Sequence, residues 1–294
     1  MDHLKLLEAE AIHIIREAVA LARNPVVLFS GGKDSTVLAH LVLRAFHPGR
    51  PPVPLLHVDS TWEFRDVLAF RDAFAARYDF RLRVHANEEG RALGLNPIDH
   101  GDIYTSEMRT RALRQGLDAG GHDFILGGAR RDEESARAKE RVFSIREPNH
   151  TWEPRQQRPE LWHLYNGELD QGQSVRIYPL SNWTEQDLWI WILRHRIELA
   201  PLYFAAEREV IEVDGTPIVL DDPARLPSLA ALPRRRQRVR FRTLGCWPVT
   251  GALASDAQDA ASVMLETLGS SLSERMGRVS DHGSLEAQKR QGYF

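Results

Sequence analysis

The 294-residue chain holds a single cysteine, Cys246. One thiol excludes an internal disulfide and any cysteine-rich zinc or iron–sulfur site, and it suits a reducing, cytoplasmic setting. The formal net charge is only -3, so no global field draws the chain to nucleic acid or to a membrane. Long apolar runs are missing. The first 22 residues carry a charge every few positions, which argues against a signal peptide or a membrane span. Also missing are internal repeats, low-complexity tracts, a Walker G-x-x-x-x-G-K-[ST] loop and a G-x-G-x-x-G fingerprint. What is present is an ordinary globular composition, 43% hydrophobic and 27% charged. A chain of this length buries roughly three quarters of its unfolded surface and needs no covalent staple.

Hydrophobic periodicity predicts strands and helices in alternation. Leu4, Leu7, Ile14 or Ile15, Ala18 and Leu21 form one helical stripe over residues 4–22, closed by Pro25. Residues 25–29, 55–58, 81–84 and 124–126 read as short strands, the first apolar enough to be buried on both faces. Residues 35–46, 64–78 and 105–119 have helical spacing. This alternation predicts an α/β fold with a doubly wound, mostly parallel sheet. The second half differs. Residues 142–178 are rich in Pro, Asn, Gln and Trp and read as irregular loop. Thr184 and Asp187 have capping-box spacing ahead of a helix through Arg196, although Asp is shorter than the usual Glu or Gln. Residues 207–232 read as an exposed hairpin or flexible excursion, and residues 255–272 as a last helix before a polar tail.

The first strand runs into Ser30-Gly31-Gly32-Lys33-Asp34-Ser35 and then a helix. Glycines let main-chain N–H groups approach an oxyanion, and the helix start adds its own donors and the positive end of its dipole. Lys33 supplies a mobile cation, and Ser30 and Ser35 supply hydroxyls. A tight turn capped by Asp34 or Ser35 would explain the position, but not two glycines and a lysine together. The loop therefore reads as a cradle for a phosphate chain.

Three further segments accompany it. His57-Val58-Asp59 ends the next strand and should border the same crevice, since ligands of open parallel sheets sit beyond the strands' carboxyl ends. Asp59 would either reach a magnesium ion or cap the following segment. Gly127-Gly128-Ala129-Arg130-Arg131-Asp132-Glu133 follows another apolar run and places Arg130 and Arg131 at the sheet edge. A triphosphate and a second anion bring together about six negative charges, which planar, permanently charged guanidinium groups can neutralise. Lys139 and Arg141, further along, read equally well as a solvated helix face. Finally, six of residues 234–242 are arginine. Arg238, Arg240 and Arg242 alternate with Val239 and Phe241, so a strand would put three guanidinium groups on one face. Such a face would cap the mouth of the site, or simply meet solvent.

The six-residue loop resembles the pyrophosphate loop of the ATP pyrophosphatases, which include the PAPS reductases. Over most of the chain the similarity sharpens to the small catalytic subunit of bacterial heterodimeric ATP sulfurylase. It is carried by Phe29 through Ser35, His57-Val58-Asp59, Gly127 through Glu133, Gln157-Arg158-Pro159-Glu160-Leu161-Trp162 and Pro179-Leu180-Ser181-Asn182-Trp183-Thr184-Glu185. Arg242-Thr243-Leu244-Gly245-Cys246, Thr250-Gly251-Ala252 and Gln291-Gly292-Tyr293-Phe294 add to it. Trp247 departs from it where a tyrosine is expected, and Met276 where a polar residue is.

The resemblance implies an ATP pyrophosphatase-type domain over residues 1–205 and an irregular C-terminal extension over 206–294. It implies that the loop, with Gly128, holds ATP, that the backbone of His57, Val58 and Asp59 reads adenine, and that Lys33, Arg130 and Arg131 act with Mg²⁺ in catalysis. Sulfate would be the attacking anion, met by Arg130, Arg240 and Arg242, in a first step of sulfate assimilation. A GTPase large subunit would drive the uphill reaction, since this chain has no Walker motif of its own. The alternatives are a PAPS or APS reductase, a nucleotidyltransferase acting on another acceptor such as a flavin, and a non-catalytic nucleotide-binding subunit. The reductase would need a mobile nucleophilic cysteine, and the only thiol lies inside Leu244-Gly245-Cys246-Trp247-Pro248.

Overall fold

A computed structural model describes residues 2–213 and 215–269. Helix α1 (His3–Leu21) is capped by Asp2 and buries Leu4, Leu7, Ala11, Ile14, Ile15 and Ala18, while Leu21 is exposed at its end. Strand β1 (Val26–Leu28) leads into α2 (Lys33–Phe46), β2 (Leu55–Val58), α3 (Arg65–Arg77) and β3 (Leu82–His85). Two short helices follow, α4 (Glu88–Ala92) and α5 (Gly101–Tyr104), and a π-helical segment, Thr105–Arg111, runs into α6 (Ala112–Gly120). Then come β4 (Phe124–Leu126), α7 (Ser135–Ala138), β5 (Phe143–Arg146), β6 (Ser174–Ile177) and α8 (Glu185–His195).

These strands make one sheet in the order β3-β2-β1-β4-β6-β5. All neighbours are parallel except β5, which runs antiparallel to β6 at the edge. The α/β class and the mostly parallel sheet therefore match the expectation. Alternate residues serve opposite faces. Val27, Leu55 and Leu126 join the core built with α1, α2 and α8, whereas Val26, Leu56 and Ile125 meet Leu113 and Leu117 of α6.

The region expected to be irregular loop contains two strands, β5 and β6. Both are short, and their buried arginines, Arg146 and Arg176, break any apolar signal. Arg146 is neutralised by Glu140, 3.1 Å away. The capping box of α8 forms even with the shorter Asp: Thr184 Oγ1 accepts from Asp187 N, and Asp187 Oδ2 accepts from Thr184 N.

Beyond α8, β7 (Ala206–Val213), β8 (Thr216–Val219), β9 (Arg235–Arg240) and β10 (Leu253–Ala254) form a second, antiparallel sheet ordered β10-β9-β7-β8. A short helix, α9 (Pro227–Ala230), lies between β8 and β9, and α10 (Ala260–Gly269) follows β10. The excursion expected over residues 207–232 is thus a β7–β8 hairpin continued by turns. The arginine run has a structural use. Arg234, Arg235 and Arg238 pair across strands with Glu209, Glu212 and Glu207 of β7. Val210 and Val239 from this sheet, and Phe241 just beyond it, pack with Trp62, Phe64 and Val67 of the first half. The expected last helix is shorter at its start, and residues 270–294, with the polar tail, lie outside the described residues.

Candidate active site

The strand order reverses between β1 and β4, and their carboxyl ends open a crevice there. The loop after β1 turns through Gly31 at φ 76°, a conformation that favours glycine. A side chain there would also strike Val67, whose Cγ1 would lie 2.9 Å from a Cβ. Gly32 then stands at the N-cap of α2 with no side chain to offer. Ser35 Oγ and Thr36 Oγ1 each donate to the Gly32 carbonyl at 2.9 Å. Ser30 Oγ accepts from Gly32 N at 3.3 Å and lies 3.2 Å from Ser35 Oγ. Lys33 N donates to Tyr203 Oη at 2.8 Å.

The Lys33 side chain is buried, and its Nζ lies 3.0 Å from Asp34 Oδ2. Arg130, also buried, places Nε 2.7 Å from Asp34 Oδ1. Burial alone would raise the Asp34 pKa, but the two cations overcome it and hold the carboxyl far below the usual range. Gly128 permits this arrangement. A Cβ there would sit 3.0 Å from the Asp34 carbonyl carbon and 3.1 Å from Ser35 N, both backbone atoms. Arg242 joins from beyond β9, with Nη2 2.7 Å from Glu185 Oε2. Burial opposes ionisation of Glu185, yet its bond from Arg242 and the nearby Lys33 and Arg130 lower its pKa.

The cleft places most of the expected loop residues together: Ser30, Gly32, Lys33, Asp34 and Ser35 line it, as do His57, Val58 and Gly128. Gly31 shapes the loop from behind. His57 donates Nδ1–H to the Phe29 carbonyl at 2.9 Å, and burial lowers its pKa to about 4, so the ring is neutral. Arg131 turns away from the cleft, donating to Asn182 Oδ1 at 2.6 Å. Arg240 does not line it either; the buried guanidinium is tied to Glu266, with Nη2 2.8 Å from Oε2. Arg242 does not continue the face of Arg238 and Arg240, because β9 stops at Arg240. Asp59 Oδ1 accepts from Thr61 N at 2.7 Å as a local cap, and its carboxylate lies close enough to Glu63 to add to burial in raising that group's pKa. Among the described residues no group of three or more His, Cys, Asp or Glu side chains is arranged to hold a metal ion.

Several lining residues were not anticipated. Arg109 arrives from the π-helical segment, Arg137 from α7 and Tyr203 from the turn before β7. Tyr203 had no sequence signal, since its partner Lys33 lies 170 positions away. Glu63 Oε1 accepts from Ser60 Oγ at 2.6 Å and from Ser60 N at 2.9 Å. Burial raises the Glu63 pKa to about 7, with Asp59 adding repulsion against the donation from Ser60. Cys246 is buried at the same wall, its Sγ 3.2 Å from both Ser60 Oγ and Tyr104 Oη.

Comparison with known proteins bears on what such a cleft belongs to. Residues 24–252 match the phosphoadenosine phosphosulfate reductase domain family. The chain is 56% identical to a sulfate adenylyltransferase subunit 2 of Alkalilimnicola ehrlichii, covering 100% of this chain and 94% of that protein. It is 55% identical to sulfate adenylyltransferase subunit 2 of Myxococcus xanthus, covering 100% and 97%. For Xanthomonas euvesicatoria pv. vesicatoria the figures are 54%, 100% and 98%. The chain belongs to the sulfate adenylyltransferase subunit 2 family. Membership in that family places the chain among the nucleotidyltransferases. No helix among the described residues is long and apolar enough to cross a membrane.

Proposed function

We propose that the chain adenylylates sulfate, converting ATP and sulfate to adenosine 5′-phosphosulfate and pyrophosphate. The observation that carries this reading is the buried Lys33 at the glycine-formed start of α2, facing the cleft at the reversal of strand order. A β,γ-pyrophosphate on that loop would meet backbone donors, two hydroxyls and the positive end of a 14-residue helix. The adenine would lie toward His57 and Val58. A sulfate oxygen attacks the α-phosphorus, a new phosphorus–oxygen bond forms, and the bond to the bridging oxygen of pyrophosphate breaks.

Sulfate is fully ionised near neutral pH, so no general base is required. Catalysis then consists of positioning and charge stabilisation. Lys33 would stabilise the departing pyrophosphate, and Arg130 would keep Asp34 oriented. Arg109 and Arg137 line the cleft where the incoming anion would sit, whereas Arg240 does not line it. Asp59 alone does not make a metal site, so magnesium enters this reading as part of the MgATP substrate. The subunit 2 relatives support a partner subunit, and the uphill reaction fits one that hydrolyses GTP.

The test is pyrophosphate release from labelled ATP, with and without sulfate, GTP and the partner subunit. Sulfate-dependent release is expected. Release that ignores sulfate, or that follows another acceptor, would overturn the assignment.

A further inference from the structure

We propose that Leu161, Trp162 and Leu164 are the docking tip for the partner subunit, and that the partner offers an apolar cup rimmed with carboxylates. This rests on the two-subunit reading above. Trp162 is 84% exposed, Leu161 61% and Leu164 68%. One exposed apolar side chain is ordinary, but three within four positions, an indole among them, mark an interaction surface.

The tip is held rigidly. Trp162 and His163 both take left-handed backbone conformations, at φ 53° and 58°. Such geometry persists only where the surroundings enforce it. The residues on either side of the tip are anchored on β5, the edge strand, whose outer side is covered by side chains instead of another strand. Glu160 accepts from Val142 N at 3.1 Å and from Phe143 N at 2.8 Å. Gln157 accepts from Ile145 N at 2.9 Å and donates to the Ile145 carbonyl at 3.1 Å. Tyr165 stacks on Phe143 behind the tip, with ring centroids 4.8 Å apart. A surface fixed before binding loses little freedom on docking, which favours affinity.

Charge narrows the partner. Arg141, which precedes the strand that anchors the tip, and Arg155, in the turn before Gln157, are both exposed. Carboxylates around the cup would complement them. A series of polar contacts also leads inward. His163 Nδ1 lies 3.2 Å from Glu10 Oε1, and Glu10 accepts from Asn182 Nδ2 at 3.0 Å. Asn182 in turn accepts from Arg131, the neighbour of Arg130. These contacts join the tip to the chain neighbour of the arginine that holds Asp34.

The experiment titrates the full chain with the subunit 1 polypeptide of the same organism and measures Kd. Trp162→Ala should weaken the complex about tenfold or more, and Trp162→Asp further, with Tm unchanged. If Trp162→Asp lowers Tm, Trp162→Ala and Leu164→Ala carry the test. Wild-type Kd in these variants would overturn the surface while leaving the two-subunit reading intact. No complex with the wild-type chain would overturn both. Self-association of the wild-type chain that Trp162→Asp abolishes, with subunit 1 binding unaffected, would reassign the tip to a second copy and overturn the proposal.

Discussion

Arg130 Nε lies 2.7 Å from Asp34 Oδ1, which places a fully buried guanidinium against the first turn of α2. The same carboxylate holds Lys33 Nζ at 3.0 Å. Asp34 is therefore a clamp that keeps two cations beside the phosphate loop, and the two cations play different parts.

Lys33→Ala removes the charge facing the cleft and should lower turnover roughly tenfold or more. It also takes a buried cation from Asp34, so it should destabilise the fold too, but by less than loss of Arg130, which pairs with both Asp34 and Asp132. Arg130→Ala should lose comparable activity and also destabilise the fold by about 3–5 kcal/mol, because it breaks a buried pair from one side. Steady-state rates together with Tm separate the two. Equal Tm values for both variants would show that Arg130 is not the structural half of the clamp.

Gly128→Ala tests the approach of the β4 loop to α2. Its new methyl would sit 3.0–3.1 Å from backbone atoms of Asp34 and Ser35, which cannot swing aside as a flexible side chain can. Overpacking of this kind costs about 1–3 kcal/mol and should push the loop off the helix start. The expected result is a raised KM for ATP with a lowered Tm. Wild-type KM would mean that the loop and α2 separate without consequence for nucleotide binding.

The parts of this site that were legible in the sequence are those carried by contiguous residues. The loop from Ser30 to Ser35 and the segments at His57 and Gly128 announce themselves by composition, and each follows an apolar strand. Tyr203 and Glu63 could not be found this way, since one reaches Lys33 across the fold and the other matters only through burial. The arginine run was misleading for a physical reason. Reading Arg238, Arg240 and Arg242 as one face assumes that the strand continues. Phe241 instead leaves the sheet to donate its N–H to Leu202 and to pack 4.9 Å from Phe64. Likewise β5 and β6 hid behind buried arginines: Glu140 makes Arg146 tolerable inside, whereas the Arg176 guanidinium has no hydrogen-bond partner among the described residues.

Glu63 provides a pH test. Its folded pKa is raised to about 7 from an ordinary 4.5, so folding disfavours its ionisation. The sign follows from linkage. Below the ordinary value both states are protonated and nothing is lost. Between about 4.5 and about 7 the unfolded chain releases a proton that the folded chain keeps, and stability declines. Above that window the loss is constant. Glu63→Gln should therefore raise Tm relative to wild type at about pH 8 and leave it nearly unchanged at about pH 5. A Tm difference independent of pH would show that Glu63 ionises freely in the folded protein.

Cys246 decides between adenylyl transfer and thiol chemistry in the same cleft. Its sulfur is enclosed by the hydroxyls of Ser60 and Tyr104, each 3.2 Å away, and the residue is buried within a packed wall beside Trp247. A nucleophile that must take a sulfo group and then be released by an external reductant needs exposure and a thiolate. Serine preserves the size of the group and both hydrogen bonds. Cys246→Ser should therefore keep sulfate-dependent pyrophosphate release within about a few-fold of wild type, since no transition-state contact is removed. Complete loss of turnover with an unchanged Tm would place the thiol at the reacting atoms and favour a reductase instead.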